Sequence, residues 1–204
     1  EPPQWAVVLG ASGRVQADVR LDACRADGIP LSRRSSGGGT VVVGPGSVNL
    51  TVVLPRGYDP SLETVEGAQS FVLERCAQSI RNQVPGVHVL GSGDLTIDAR
   101  KFAGSAQRRL KRSVLVHASL LNAFALEKID RYLNQPGRQP VYREDRPHSR
   151  FVRNLGLPHE ALRERLLAAW EPAHGFHPYE RPPLHRIPAL MEERFADPAW
   201  VERF

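Results

Sequence analysis

Two stretches of the chain combine charged, hydroxyl and glycine residues in a way that suits anion chemistry. The first is the octet 33–40, in which two arginines and two serines precede three consecutive glycines and a threonine. Glycine loses more backbone entropy on folding than any other residue, so such a run needs a reason. Successive N–H groups can form a concavity for an anion, and an arginine fork can bind phosphate or carboxylate. A Gly-rich turn between two strands explains the octet alone equally well.

The second stretch covers residues 91–108. It places Asp94 at the start of a strand, Lys101 at a tight turn between strands, and small residues at 104–106. A lysine ammonium beside such backbone can neutralise an acyl phosphate and polarise the acyl carbonyl. Taken alone, Lys101 also fits a solvated hairpin lysine, and Ser105 fits a buried turn hydroxyl.

Three motifs resemble those of the lipoate–protein ligase family, within the biotin/lipoate ligase and octanoyltransferase superfamily. In chain order they are RRSSGGGTV at 33–41, GDLTIDARKFAGSAQ at 93–107 and VHASLL at 116–121. A short opening strand, VVLG at 7–10, precedes them, and order and spacing agree over residues 5–155. The glycine triplet alone is a weak signal, whereas three ordered motifs are specific.

The resemblance implies an α+β fold with a mixed or antiparallel sheet flanked by helices, as in the biotin/lipoate protein ligase catalytic domain. It also implies an enzyme that uses ATP and Mg²⁺ to convert lipoate or octanoate to an acyl-adenylate, lipoyl-AMP. The acyl group then passes to a lysine of a small, acidic apo lipoyl domain. That lysine is the nucleophile, so catalysis rests on positioning and charge stabilisation.

The resemblance also assigns site residues. Lys101 is the expected catalytic residue, binding the acyl-phosphate oxygens. Asp94 is expected in the nucleotide region and is the candidate Mg²⁺ ligand. The other residues expected to bind substrate or adenylate, or to shape that pocket, are Arg33, Arg34, Ser36, Gly37, Gly38, Gly39, Asn49, Gly104, Ser105, Ala106 and His117.

The chain departs from the family pattern in two places. Where the family often has His-Asp-x-Gly-Asn after its glycines, residues 43–47 read Val-Gly-Pro-Gly-Ser, followed by Val48 and Asn49. Residues 158–204 are too short and proline-rich for the usual C-terminal domain that closes over the adenylate. Two alternatives therefore stay open, a domain that works with an accessory subunit and a paralogue that does not catalyse adenylation.

Acyl transfer without adenylation is a further alternative, and it uses a cysteine thiolate as acyl acceptor. Related transferases carry this cysteine in segments that correspond to 88–98 or 115–121, and neither segment contains one. Cys24 and Cys76 lie in candidate helices elsewhere. The sequence therefore favours the ligase over the transferase.

The elements that must position these residues mix strands and helices without strict alternation, which favours α+β. Turn signals at 44–46 predict a hairpin of strands 40–43 and 48–54. The other predicted strands are 5–9, 29–31, 87–90, 95–97 and 114–116, and the predicted helices are 16–26, 61–83, 125–133, 158–170 and 189–195. An extended surface strap is expected at 135–150, where Arg143, Arg146 and His148 suit a structural tether. A loop is expected at 172–188.

Composition sets the remaining expectations. A length of 204 residues suits a single catalytic domain over 1–204, with 134–204 as the strap and C-terminal helices. No apolar run approaches the roughly 20 residues of a membrane span, and two cysteines without a metal pattern favour a reducing cytoplasmic setting. A net charge of +5 favours acidic partners. The basic run 108–112 has no interleaved aromatics, so it fits a solvated loop, or in a ligase a docking segment for an acidic lipoyl domain, better than nucleic-acid binding.

Overall fold

The computed structural model describes residues 1–171 and 184–204, and its strands form two sheets. The smaller sheet contains β1 (Ala6–Leu9), β2 (Leu31–Arg33) and β3 (Val41–Val43) in the order β2-β1-β3. β1 runs parallel to β2 and antiparallel to β3. This sheet leads the chain directly into the glycine triplet, because the triplet lies between β2 and β3.

The larger sheet is antiparallel and has five strands in the order β4-β8-β7-β6-β5. The strands are β4 (Ser47–Pro55), β5 (His88–Leu90), β6 (Asp94–Ile97), β7 (Arg100–Arg109) and β8 (Ser113–Leu121). In β8 every second residue from 114 to 120 is a buried apolar residue of the main core. Because side chains alternate across a strand, the residues between them face the opposite side of the sheet.

Helix α3 (Val65–Arg81) covers the core face of the large sheet. It begins after Thr64, whose hydroxyl accepts a hydrogen bond from Gly67 N at 3.0 Å. This N-cap explains why the observed helix begins later than the predicted helix 61–83. Its first predicted turn is a separate 3₁₀ helix, Pro60–Glu63, capped by Asp59.

The remaining helices either pack around the smaller sheet or come after the strands of the larger sheet in the chain. They are α1 (Val15–Asp18), α2 (Leu21–Ala26), α4 (Glu127–Tyr132), α5 (His148–Phe151), α6 (His159–Ala168), α7 (Arg186–Leu190) and α8 (Pro198–Val201), with 3₁₀ turns at Arg56–Tyr58 and Val141–Arg143 and a π-helical segment at Met191–Phe195. Within the described residues, no helix combines the length and hydropathy needed to cross a bilayer.

The predicted hairpin of 40–43 and 48–54 is wrong, although both strands exist. β3 pairs with β1, and β4 pairs with β8, so the two strands belong to different sheets. The turn between them is fixed from outside: Gly46 has φ +85°, and its carbonyl accepts hydrogen bonds from Asn122 N and Ala123 N. The end of β8 therefore directs the chain into the large sheet.

Three further boundaries differ from the prediction. The helix expected at 16–26 breaks at Val19, which is extended and bridges Leu133. The helix expected at 189–195 divides into α7 and the π-helical segment, and α8 follows it. The small residues at 104–106 lie inside the long strand β7. Most of the loop expected at 172–188, residues 172–183, lies outside the described part of the chain.

Candidate active site

Several of the expected site residues form a row across the large sheet. Asn49 on β4 pairs with Ser119 on β8, Ser119 pairs with Gly104 on β7, and Gly104 pairs with Asp94 on β6. Directly paired residues of antiparallel strands share a face, so the row lies opposite the α3 core. Ser119 Oγ donates to Asn49 Oδ1 at 2.7 Å. Ser119 was missed by the sequence analysis, and only its register identifies it.

The next row of the same face contains His117 and Ala106, which pair directly across β8 and β7. Thr51 on β4 extends this row, because it pairs with His117. Gly104 and Ala106 are two residues apart on one strand, which places their Cα atoms about 7 Å apart. The two rows together form a floor of mostly small residues.

Lys101 reaches this floor because of a β-bulge. Leu95 pairs with Ala103 while Thr96 pairs with Lys101, so β7 contains one extra residue at this point. The extra residue moves Lys101 onto the same face as Gly104. A Cβ atom at Gly104 would lie 2.6 Å from Lys101 Nζ, so the lysine lies across the glycine. The hairpin turn itself is Asp98–Ala99, not Lys101 as predicted.

The lysine is held by a carboxylate that has two partners. Lys101 Nζ lies 2.7 Å from Asp94 Oδ1, and the hydroxyl of Tyr142 donates to Asp94 Oδ2 at 2.7 Å. The Asp94 side chain is 14 % exposed and the Lys101 side chain 30 %, so the cation is still accessible to a ligand. Burial, and secondarily the Asp94 charge, raises the pKa of Tyr142 well above its usual range. Tyr142 therefore remains a donor at neutral pH.

The glycine triplet lies over Ala106. Gly38 has φ +88°, and a Cβ atom there would lie 3.1 Å from Ala106 Cβ. Gly10 approaches from the small sheet, since its Cβ position is 2.0 Å from the Gly38 carbonyl oxygen. Side chains at either position would prevent this approach. Among the described residues, no protein acceptor pairs with the N–H groups of residues 37–39, which are exposed.

Arg34 holds the backbone of the glycine triplet by hydrogen bonds. Its guanidinium donates to the carbonyl oxygens of Gly37 at 2.7 Å and Gly39 at 2.8 Å, to Val8 O at 3.2 Å and to Ser36 Oγ at 3.1 Å. Burial lowers the pKa of Arg34 to about 10, which still leaves it charged at neutral pH. Holding these carbonyls turns the glycine backbone so that its other edge is free for an anion.

Ser36 and His117 join the loop to the sheet. Ser36 Oγ lies 2.6 Å from His117 Nε2. Ser36 Oγ also accepts from Arg34 Nε, so the hydroxyl connects the arginine of the loop to the histidine of β8. Burial, and secondarily the Arg34 charge, lowers the pKa of His117, which favours the neutral imidazole.

Two expected binding residues lie elsewhere. Arg33 is fully buried, and its guanidinium donates to the carbonyl oxygens of Gly10, Gly13, Trp200 and Val201. It therefore fixes the backbone and has no donor directed to the triplet surface. Of the two roles expected for Arg33, contact with the adenylate or shaping of its pocket, these contacts favour the second.

Ser105 pairs with Ala118, a residue of the α3 core, so its side chain faces away from the floor. Its hydroxyl donates to Gly93 O at 3.0 Å and accepts from Gln69 Nε2 at 3.1 Å. The Ser105 hydroxyl therefore has a structural role, and only the Ser105 backbone lies beside Gly104 and Ala106 in β7. Ser105 holds the segment that precedes Asp94, and Gln69, which sequence reasoning missed, supports it from α3.

Asp94 does not fit a resident metal site. Its two oxygens are committed to Lys101 and Tyr142. Among the described residues, no group of three or more His, Cys, Asp or Glu side chains could hold a metal ion. Asp94 is therefore not assigned as a ligand of a protein-bound Mg²⁺.

Neither cysteine is placed to act as a thiolate. Cys24 and Cys76 are buried on α2 and α3, as expected from the sequence. Burial raises the pKa of both thiols, that of Cys76 to about 11. At neutral pH both thiols are therefore protonated, and neither of them lies at the floor of the site.

The strap expected at 135–150 is tethered to the large sheet as predicted, but it is not extended throughout, because it contains the 3₁₀ turn Val141–Arg143 and the start of α5 at His148. Arg146 donates to Ala99 O at 3.0 Å in the hairpin turn and to Tyr142 O at 2.6 Å. Arg143 is buried and donates to Arg146 O at 2.9 Å and to Gln135 Oε1 at 3.0 Å. The sequence analysis singled out these arginines but not their neighbour Tyr142, which contacts the site.

The arrangement of these two sheets is that of the biotin/lipoate protein ligase fold, as solved structures of that fold show. Within that class, the chain belongs to the lipoyl protein ligase A/B catalytic domain family, because the sequence model of that family matches residues 3–168.

Relatives and solved structures agree with this assignment. The chain is 30% identical over 128 residues to a probable lipoate-protein ligase A of Mycoplasma pneumoniae, covering 63% of this chain and 37% of the relative. It is 33% identical over 125 residues to an octanoyl-[GcvH]:protein N-octanoyltransferase of Lysinibacillus sphaericus, covering 56% and 44%. The chain therefore spans less than half of the length of these relatives, of which one is named as a ligase and the other as a transferase.

The fold matches solved lipoate ligases over nearly the whole chain. A bi-partite lipoate protein ligase of Thermoplasma acidophilum, studied with its E2 lipoyl domain, superposes with a TM-score of 0.82 at 20% identity, covering 98% of this chain and 80% of that one. A lipoate-protein ligase A bound with ATP superposes with a TM-score of 0.78 at 19% identity, covering 98% and 82%. At these identities the likeness establishes the fold.

Proposed function

We propose that this chain is the catalytic domain of an ATP-dependent lipoate–protein ligase. It would bind lipoate or octanoate together with MgATP as substrates, form the acyl-adenylate and transfer the acyl group to a lysine of an acidic apo lipoyl domain. The observation that carries the proposal is the Lys101 ammonium, fixed by Asp94 across Gly104 on the floor beneath the glycine triplet.

The geometry supports both half-reactions. In the first, the acyl carboxylate attacks the α-phosphate and pyrophosphate leaves, so negative charge must be neutralised beside the phosphate. Lys101 supplies a fixed positive charge. The residues 37–39 are exposed, and their N–H groups, which have no acceptor among the described residues, supply donors without side chains in the way. In the second, an uncharged lysine amine attacks the acyl carbonyl, and AMP and a proton are released. The same ammonium stabilises the charge that develops on the carbonyl oxygen.

The solved relatives support the choice of substrates and partners. One neighbour of the same fold holds ATP, and another is a bi-partite ligase studied with a lipoyl domain. We therefore include an accessory subunit in the proposal as a candidate partner, after the bi-partite neighbour. Acyl transfer without adenylation is the second candidate, because several relatives are octanoyltransferases. The protonated, buried cysteines argue against a thiol route in this chain.

The test is the intact mass of an apo lipoyl domain after incubation with the protein. Three tubes contain MgATP with lipoate, synthetic lipoyl-adenylate, or an octanoyl-loaded lipoyl domain as donor. Lipoylation in the first tube supports a self-sufficient ligase, and lipoylation only in the second supports a partner-dependent one. Acylation only in the third supports the transferase. No modification in any tube, with the protein folded, would falsify the ligase proposal.

Lys101→Ala should lower transfer from lipoyl-adenylate by about 10²–10³-fold, the usual cost of removing a group that stabilises developing charge. Arg25→Ala is the matched control, because the Arg25 side chain on α2 is 75% exposed and has no part in the site. Transfer by Lys101→Ala at the rate of Arg25→Ala would remove Lys101 from the mechanism.

A further inference from the structure

Asp94 has two oxygens and two different partners, and this division orients the carboxylate. Oδ1 lies 2.7 Å from Lys101 Nζ, and Oδ2 accepts the Tyr142 hydroxyl at 2.7 Å. An Asp side chain held at one oxygen alone can rotate about its terminal bond. With both oxygens engaged, the carboxylate plane is fixed, and so is the point where the ammonium rests.

Tyr142 is itself rigidly placed. It lies in the 3₁₀ turn Val141–Arg143 of the strap, and its ring packs against Phe151 with centroids 5.4 Å apart. Its carbonyl accepts from Arg146, whose guanidinium also donates to Ala99 O between β6 and β7. The strap is thus fastened to the hairpin whose two strands carry Asp94 and Lys101. The phenol keeps its proton, because burial and the Asp94 charge raise its pKa.

We propose that Tyr142 is a positioning residue for Lys101, acting through Asp94 and coupling the 135–150 strap to the site. Its effect on acyl transfer rests on the proposed function, whereas its effect on the state of Lys101 does not. Without the Tyr142 hydroxyl, the carboxylate rotates and the ion pair opens for part of the time. Lys101 then lies across Gly104 less often, and its amine becomes more accessible.

The first experiment measures Lys101 directly and needs no catalytic activity. Wild type and Tyr142→Phe are treated with a trace of acetic anhydride at pH 8, and peptide mass spectrometry compares acetylation of Lys101 with that of exposed Lys111. We expect the ratio to rise at least about twofold in the variant, as the fraction of paired lysine falls. An unchanged ratio overturns the proposal.

Tyr132→Phe is the matched control. Tyr132 is fully buried, and its hydroxyl also donates to a carboxylate, Asp27 Oδ2, at 2.7 Å. This variant loses a comparable tyrosine–aspartate bond away from the floor of the site, so a general loosening of the fold would affect both variants alike. A Lys101 ratio that rises equally in Tyr132→Phe also overturns the proposal.

The second experiment measures transfer from lipoyl-adenylate. Tyr142→Phe should lower kcat about tenfold, the effect expected from losing a hydrogen bond to a charged group, with little change in KM. In an Asp94→Ala background, Tyr142→Phe should have no further effect, because its route to Lys101 is gone. Additive losses overturn the proposal. A wild type that transfers nothing contradicts the proposed function and leaves the labelling experiment to decide on Tyr142.

Discussion

At the scale of single residues, the site depends on a missing side chain as much as on charged ones. A Cβ atom at Gly104 would lie 2.6 Å from Lys101 Nζ and 2.8 Å from Lys101 Cε. Real Cβ contacts are not this short, so any larger residue must push the lysine away. The position therefore requires glycine for space, whatever its backbone conformation.

Gly104→Ala should keep the fold and lose activity. A displacement of about 1 Å at a catalytic group can cost 10²-fold in rate, so we expect about a hundredfold lower transfer from lipoyl-adenylate. The matched control is Gly57→Ala, where an added Cβ meets nothing within 4 Å. Transfer rates and thermal melts of the two variants are compared with wild type. Equal transfer by all three proteins contradicts the displacement of Lys101.

Sequence reasoning proposed Lys101, Asp94 and Gly104, which lie together in the structure, but it could not assign which way every side chain points. Ser105 faces the α3 core because strand parity places it there, and Lys101 faces the site because a bulge reverses that parity. Neither the pairing register nor the bulge is visible in a single sequence. Tyr142 was missed for the same reason, since a contact 48 residues away in the chain depends on how the strap folds back.

At the scale of elements, the β6–β7 hairpin is built with strain. Its two turn residues, Asp98 and Ala99, have φ values of +52° and +53°. Two-residue hairpin turns with two positive φ values favour Asn or Asp followed by glycine. Asp98 fits that pattern, whereas Ala99 stands where the related motif usually has glycine.

Ala99→Gly should stabilise the protein. The left-handed conformation costs a non-glycine residue roughly 1–2 kcal/mol, and Ala99→Gly removes that cost. The greater freedom of glycine in the unfolded chain offsets part of this stabilisation. We expect a net gain of about 0.5–1 kcal/mol in the free energy of unfolding, measured by urea denaturation, with transfer unchanged. Ala161→Gly in α6 is the control of opposite sign, because glycine in a helix is destabilising. A loss of stability in both variants contradicts the strain at Ala99.

Local signals predicted the positions of most elements, whereas the pairing between strands, which depends on distant partners, was not predicted. The apolar stripe and Thr64 cap define α3 within the chain itself. In contrast, β3 and β4 are close in sequence but pair with different strands, and the α1–α2 break follows a bridge from Val19 to Leu133. Such outcomes are decided by tertiary pairing and cannot be read from local turn residues.

At the scale of the whole molecule, the C-terminal segment completes the site from a distance. Arg33 Nε donates to Trp200 O at 3.0 Å, and Arg33 Nη1 donates to Gly10 O at 2.9 Å. In return, Trp200 Nε1 donates to Arg33 O at 3.0 Å. Gly10 is the residue that touches the Gly38 carbonyl, so Arg33 links α8 to the glycine triplet. A buried guanidinium whose donors all meet carbonyl oxygens needs no carboxylate to satisfy its hydrogen bonds.

Arg33→Lys should therefore be far from conservative. A lysine keeps the charge but has no planar fork, so it leaves several buried carbonyl oxygens without donors. We expect a loss of roughly 3 kcal/mol in the free energy of unfolding, since each hydrogen bond to a charged group contributes roughly 1.5–3 kcal/mol and the losses are not additive. Trp200→Phe removes one neutral hydrogen bond and should cost about 1 kcal/mol.

The comparison is made by urea denaturation, with Arg25→Lys as the matched control, because the Arg25 side chain is 75% exposed. Binding of a non-hydrolysable lipoyl-adenylate analogue is measured on the same proteins without urea, at a temperature where all of them are folded. Because Arg33 holds Gly10 against the triplet, Arg33→Lys should weaken this binding while Arg25→Lys does not. Loss of stability with unchanged analogue binding would mean that Arg33 anchors the C-terminal helix alone and that the triplet keeps its shape without it.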